Sequence, residues 1–255
     1  MATKGICIGF DSALRYWRSM RSVGSDALEN ECPPAFGMRT IDTSRQVAHA
    51  RTLCSCEDGQ LLDLVSGGSF DRCPNADSRI HMWRAPLGSS QLTGLGDGIY
   101  VCRPAAVIAQ LGSCLDSISL AQVACEFMGT YGLVPWARED AIWDVDLLMT
   151  SGECQQYLAA ARALRVRGAT AASDALRIAS PNSNSPRETD IAIYFLLGRS
   201  SGGAGLGGFA MNQELVVPQE YRALAGQRTI KPDFCWQRAK VACEYDSDES
   251  RLSSR

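Results

Sequence analysis

The chain has 255 residues, room for one large domain or two smaller ones, and 45% of them are hydrophobic, enough for a sizeable core. Aromatics make up only 7% while Ala and Gly are common, which points to helix-rich packing. A net charge of -3 excludes a protein that coats nucleic acid by bulk charge, so any such contact must come from local basic patches.

The 11 cysteines are scattered and odd in number, and no secretory signal precedes them. The opening Met-Ala-Thr-Lys-Gly-Ile-Cys-Ile-Gly-Phe holds too short an apolar run for one. No stretch approaches the roughly 18 apolar residues of a membrane span. The expectation is a cytoplasmic protein with reduced thiols and no membrane contact. Cys54 and Cys56 with Cys32 and Cys73 could be argued as zinc ligands, but the paired Cys-x-x-Cys of a zinc knuckle is missing. Buried free thiols are the plainer reading.

Gly5 to Phe10 reads as a short apolar strand, and Asp11 or Ser12 then caps a helix to about Met20, with Leu14 and Trp17 on one face. Arg15, Arg18 and Arg21 recur every third residue and line one face, read as solvated rather than as a DNA contact. Cys32-Pro-Pro to Met38 is a turn or linker. Residues 40 to 65 hold a helix and then a strand from Gln60. Gly67 to Ala76 is a loop, and Arg79 to Arg84 a strand. His49 and His81 are the only histidines, and neither has a ligand or nucleophile near it in sequence.

Gly98 to Pro104 is a strand, followed by helices over 105–115 and 119–131. The second opens with the capping-box pattern Ser119-Leu-Ala-Gln122 and puts Val123, Phe127 and Tyr131 on one face. Glu126 and Thr130 read as helix packing. Asp140 and Asp144 stand four apart and read as a solvated face more readily than a metal pair. Helices from 151 to about 164 and from 170 to about 179 carry Arg162, Arg165, Arg167 and Arg177, the best basic patch of the chain. Phosphate contact and plain surface arginines both fit it.

Ser185, Pro186 and Glu188 form an N-cap, N1 and N3 set for a helix to about Leu197, with Glu188, Ile191, Ala192 and Phe195 on one side. Gly203-Ala-Gly205-Leu-Gly207-Gly208 matches Gly-x-Gly-x-x-Gly. It follows a helix and opens a strand, the reverse of what a dinucleotide site requires. That strand, Phe209 to Val217, carries Asn212-Gln213.

The chain then reads as two strands, Thr229 to Trp236 and Lys240 to Asp246, around the polar break Gln237-Arg238. Period two puts Phe234 and Trp236 on one face and Asp233 on the other. Pairing around the break brings Asp233 level with Glu244, and Asp246 shares the face of Glu244. Acidic residues are poor strand formers, and like charges side by side repel. A sheet that tolerates this usually has a cation there, and hard oxygen donors suit Mg²⁺ or Mn²⁺. A solvated acidic face is the alternative.

Pro232-Asp233-Phe-x-Trp236, then Ala239-x-x-Ala242-x-Glu244-Tyr245-Asp246, resembles the PD-(D/E)xK nuclease core, in the branch related to very-short-patch repair endonucleases. The segments around Ile6–Arg18 and Tyr100–Leu133 are similar to the N-terminal and middle parts of actinobacterial proteins that carry this domain, and the latter also to abortive-infection-type antitoxin proteins. The resemblance implies an α+β chain in three parts: a mixed region over 1–150, a basic helical linker over 151–184, and a restriction-endonuclease-like domain over 185–255. That last domain is expected to be incomplete, because the family's fold continues with a further helix and strand, which a partner chain could supply.

The implied activity is metal-dependent hydrolysis of DNA. Asp233 and Glu244 would ligate Mg²⁺ or Mn²⁺ together with the main-chain carbonyl of Tyr245. Glu188 would orient the site unless it serves only as a cap, and Gln213 would lie close by. Asp246 stands where most of these nucleases keep Lys, and would ligate a second metal or act as base. The His that commonly follows this segment is absent. The alternative is a catalytically silent DNA-binding or antitoxin-like protein, or a nuclease remnant without activity.

Overall fold

Ile6, Cys7 and Ile8 form the strand at the centre of the main sheet (β1), and all three are buried. The computed structural model describes residues 5–23, 44–67, 76–85, 87–135 and 137–246. The Cys32-Pro-Pro turn, Cys73, most of the loop expected at 67–76, and everything beyond Asp246 lie outside them. α1 (Phe10–Val23) follows β1 after one residue. Phe10 takes φ 52, a strained conformation for a bulky residue. The Gln110 side chain accepts from its N–H at 2.8 Å, and its ring stacks on His81 at 3.9 Å.

α2 (Ser44–Leu53) packs on the sheet, whose next strands are β2 (Leu62–Ser66), β3 (Ser78–Met82), β4 (Leu92–Gly96) and β5 (Ile99–Cys102). The order is β3-β2-β1-β5-β4. β1 runs parallel to β5 and antiparallel to β2, and β2 runs parallel to β3. A central strand is covered on both faces, so an unbroken apolar run belongs there.

α3 (Pro104–Leu111) is buried at every position and packs against α1, α4 (Ser117–Phe127), α5 (Ser151–Ala163) and α6 (Ala169–Ala175). The close packing needs glycine: a Cβ on Gly112 would stand 2.3 Å from the carbonyl of Gly168, which itself sits at φ 91. The N-cap of α4 is Asp116, whose carboxylate accepts from the N–H groups of Ile118 and Ser119. The capping box expected at Ser119 does not form, and Gln122 donates instead to Asp190. A capping box does open α5, between Thr150 and Glu153.

β6 (Gly132–Val134) and β7 (Ala137–Ile142) form a hairpin between α4 and α5. Asp140 therefore lies in a strand, with Asp144 beyond its end at φ 54, and no helix places the two together.

Arg15, Arg18 and Arg21 do not form the expected solvated face. Arg15 donates to the carbonyl of Ser55, and Arg18 pairs with Glu126. Arg21 is buried, and its guanidinium donates to the carbonyls of Glu126, Gly129, Tyr131 and Asp146 at 2.6–2.9 Å. Helix packing also understates Glu126, which is buried and accepts from the Leu133 N–H as well.

α7 (Pro186–Leu196) lies on α4, joined by hydrogen bonds from Tyr131 to Thr189 and from Gln122 to Asp190. The remaining elements are β8 (Ala210–Met211), β9 (Leu215–Val216), α8 (Arg222–Ala225), β10 (Thr229–Ile230), β11 (Phe234–Trp236) and β12 (Val241–Cys243). β12-β11-β8 is one antiparallel sheet, and β9 with β10 is another. The strands expected over 209–217 and 229–236 are thus each broken in two. Asn212 breaks the first by entering the left-handed region at φ 50. Pro232, which has no N–H to give a ladder, breaks the second.

One apolar core runs from Ile6 to Ile193. It takes in Cys154, Tyr157, Leu158, Ala161 and Ala172, so the helices of 151–184 help to build it. A smaller core joins Ala192 to Met211 and Phe234, flanked by Ile191, Phe195, Phe209 and Trp236. Phe195, Phe209 and Phe234 meet edge to face at 5.2–6.0 Å, a preferred arrangement for aromatic rings. Phe234 and Trp236 share this face, as period two requires. The architecture is mixed α+β.

Candidate functional site

The candidate site grows from the hairpin of β11 and β12. Its register pairs Phe234 with Cys243 and Trp236 with Val241. One step further, Asp233 stands opposite Glu244. Tyr245 N–H donates to Asp233 Oδ2 at 2.6 Å, and Asp233 N–H reaches Glu244 Oε2 at 3.4 Å. Each carboxylate is therefore held by the main chain of the other strand. The second oxygens, Asp233 Oδ1 and Glu244 Oε1, have no hydrogen-bond partner among the described residues.

Asp246 is exposed and lies beyond β12. Among the described residues no three Asp, Glu, His or Cys side chains stand close enough to hold a metal ion together. The open oxygens of Asp233 and Glu244 are hard donors of the kind Mg²⁺ or Mn²⁺ takes, ions that keep several waters of their own.

Glu188 lies behind this hairpin and is buried. Ser185 Oγ–H donates to its Oε1 at 2.9 Å, while Asn184 N–H and Asn212 Nδ2 donate to its Oε2 at 3.1 and 2.6 Å. Asn212 N–H in turn donates to the Asp233 carbonyl at 3.2 Å. Glu188 therefore caps α7 and also reaches the hairpin, through Asn212, but with three donors on it the carboxylate is a brace rather than an open ligand.

Asn212 is the residue the sequence reading passed over in favour of its neighbour. The clue was an Asn inside a strand-like run, a residue type that tolerates the left-handed region. Gln213 is exposed, and its Oε1 accepts from Gln237 at 2.7 Å, which holds it to the hairpin turn. Arg162, Arg165 and Arg167 are exposed, and their side chains have no partner among the described residues. Arg177 is also exposed, 3.6 Å from Asp174.

A second polar cluster was not foreseen. Asp63 is buried, and its Oδ1 meets both His81 Nε2 at 2.7 Å and Arg79 Nε at 2.8 Å. Parallel pairing of β2 and β3 brings them together, Asp63 beside Arg79 and Val65 beside His81. His81 is thus not isolated; its partner lies 18 residues away on the next strand.

Cys54 is buried and Cys56 half-buried, and burial pushes both thiols above their ordinary range. That works against the thiolate a zinc ion needs. Their suggested co-ligands Cys32 and Cys73 lie outside the described residues. A cavity of about 640 Å³ opens between Gln91, Arg103, Leu148, Glu153 and Tyr157, and none of the site residues named from the sequence lines it.

No family model matches the chain, and neither does any curated protein or solved structure. No helix among the described residues is long and apolar enough to cross a membrane.

Proposed function

We propose that the chain is a metal-dependent DNA endonuclease whose site is the Asp233–Glu244 pair. The observation that carries this reading is the side-by-side placing of the two carboxylates, each with one open oxygen. Like charges are brought together here by the hairpin register, and a cation between them would relieve the repulsion. The chain order supports it too: a helix capped by Ser185, then a strand, then a hairpin bearing Asp and Glu, as the resemblance implies for a restriction-endonuclease-like domain over 185–255.

Asp233 and Glu244, with the Tyr245 carbonyl, would hold the metal. Mg²⁺ or Mn²⁺ would there supply polarisation of a phosphodiester and a lowered pKa for a coordinated water. Asp246, past the end of β12, would take the proton or a second ion. Glu188 positions Asp233 through Asn212. Arg162, Arg165, Arg167 and Arg177 bind the DNA backbone. A partner chain covers the open edge of β12. The reading places the protein in the cytoplasm, where its thiols stay reduced.

The presence of Asp246, where most of these nucleases keep Lys, favours a second reading: a catalytically silent DNA-binding or antitoxin-like protein. The deciding experiment incubates the chain with plasmid and single-stranded DNA in Mg²⁺ or Mn²⁺, beside an Asp233→Ala, Glu244→Ala control. Cleavage by the native chain alone supports the nuclease. DNA binding without cleavage moves the conclusion to the second reading, and neither cleavage nor binding removes both.

A further inference from the structure

Residues 215–231 form an arm that lies in the chain between β8 and β11 of the smaller sheet. β9 and β10 form its stem, pairing Val216 with Thr229 and Leu215 with Ile230, and α8 sits at its tip. The arm exposes what a protein usually buries: Leu224 is 89% exposed, Val216 71% and Tyr221 57%. Large apolar side chains left to solvent within one short segment are what a binding surface offers.

Arg222, Arg228 and Lys231 outnumber the one acidic residue, Glu220, so the arm is locally basic, like the helical stretch 151–184, in a chain of net charge -3. Arg222 is tied to the stem through Nε to the Val217 carbonyl at 3.1 Å. Arg228 and Lys231 have exposed side chains with no partner among the described residues. Arg15, Arg18, Arg21, Arg51 and Arg79 differ, each donating to a carbonyl or carboxylate of the chain itself. The arm also ends beside the carboxylate pair, with only Lys231 and Pro232 between Ile230 and Asp233.

We propose that this arm is a nucleic-acid grip. Arg228 and Lys231 contact backbone phosphates, and Leu224 and Tyr221 lie against bases, as a wedge between base pairs or a platform for an unpaired base. A polyanion with flat apolar faces answers both halves of the surface. The proposal rests on the nucleic-acid reading above and adds a second binding element to the arginines of 162–177.

The test is fluorescence anisotropy of the full chain with a labelled DNA duplex and, separately, the labelled single strand. It is run in EDTA so that cleavage plays no part, over about 50 to 200 mM salt. The variants are Arg228→Ala with Lys231→Ala, and Leu224→Ser. All three positions are exposed, and circular dichroism checks that the fold is kept.

The double variant is expected to flatten the slope of log affinity against log salt by about 1.8 on a duplex, or about 1.4 on a single strand. Leu224→Ser is expected to weaken binding with the slope unchanged. The duplex and single-strand arms separate the wedge from the platform. Binding that ignores all three substitutions overturns the proposal, as does no binding to either DNA, including the case in which anionic lipid vesicles bind instead. Arm-dependent binding without cleavage sinks the nuclease reading and keeps the arm. Cleavage that the arm variants leave untouched does the reverse.

Discussion

Arg18 and Glu126, 108 residues apart in the chain, meet in a bidentate ion pair, with Nε 3.0 Å from Oε1 and Nη2 2.7 Å from Oε2. The Glu126 side chain is only 1% exposed and that of Arg18 20%. Burial works against the charge on Arg18, but the carboxylate beside it more than offsets this. The pair ties the first helix to α4. Glu126→Ala should strip a partly buried guanidinium of its partner and free the Leu133 N–H. The expected cost is about 3 kcal/mol, read from urea unfolding, with Glu126→Gln falling between it and the native chain. An unchanged midpoint in Glu126→Ala would show the pair to be incidental.

Arg21 is the tighter lock. Four main-chain carbonyls, from the last turn of α4 and the loops at Gly129–Tyr131 and Asp146, share its guanidinium, and burial lowers its pKa. Lysine keeps the charge but has three donors on a single nitrogen, and cannot replace a planar fork. Arg21→Lys is expected to cost roughly 2–4 kcal/mol, because carbonyls are left buried without a donor. Amide exchange at Gly132 to Val134 should rise with it. Unchanged protection there would assign the lock elsewhere.

Asn212 joins Glu188 to the hairpin. Asn212→Ala should cost about 2 kcal/mol by leaving a buried carboxylate one donor short. It also forces Ala into the left-handed region, so Asn212→Gly, which removes that strain, should recover part of the loss. If cleavage is found, Asn212→Ala should lower it further than it lowers DNA binding, because it shifts Asp233 and not the basic groups. Equal losses in both would make Asn212 merely structural.

Burial pushes the thiols of Cys125 and Cys154 from 9.0 to about 12, and the Tyr16 hydroxyl from 10.0 to about 12. In the unfolded chain these thiols ionise near pH 9, while in the native chain they stay protonated. The native state then binds more protons, so this stability is complete below pH 9 and is lost as pH rises toward 12. The expected loss is about 1.4 kcal/mol per thiol for each pH unit above 9. Urea midpoints at pH 8, 9 and 10 check the sign, and a midpoint that rises above pH 9 would reverse it. Under native conditions a thiol reagent should label Cys114 and Cys243 first, since of the described cysteines these are the exposed ones. Peptide mapping reads this directly.

Local chemistry was legible in the sequence wherever a single element decides it. The apolar run before Phe10 became a central strand, Ser185-Pro-x-Glu188 became a helix start, and period two placed Phe234 and Trp236 on one buried face. The same alternation set Asp233 level with Glu244, because a hairpin register follows from its own turn. The cap expected at Ser119 and the unbroken strand expected over 209–217 failed for local reasons too: Asp116 upstream captured the cap, and left-handed Asn212 ended the strand.

The partners of charged groups were another matter. The three-residue spacing of Arg15, Arg18 and Arg21 describes a helix face equally well when that face is wet or buried. Only the packing of α1 against α4 and its loops turned it into an ion pair and a carbonyl lock. His81 found Asp63 through strand pairing, and Glu188 found Asn212 across the gap between a helix and a strand. Periodicity reports which residues share a face and turns report local register. Which surface meets that face is decided by long-range burial, and in this protein that choice settled that Arg18 and Arg21 are spent inside the fold while Arg162, Arg165, Arg167, Arg228 and Lys231 stay exposed.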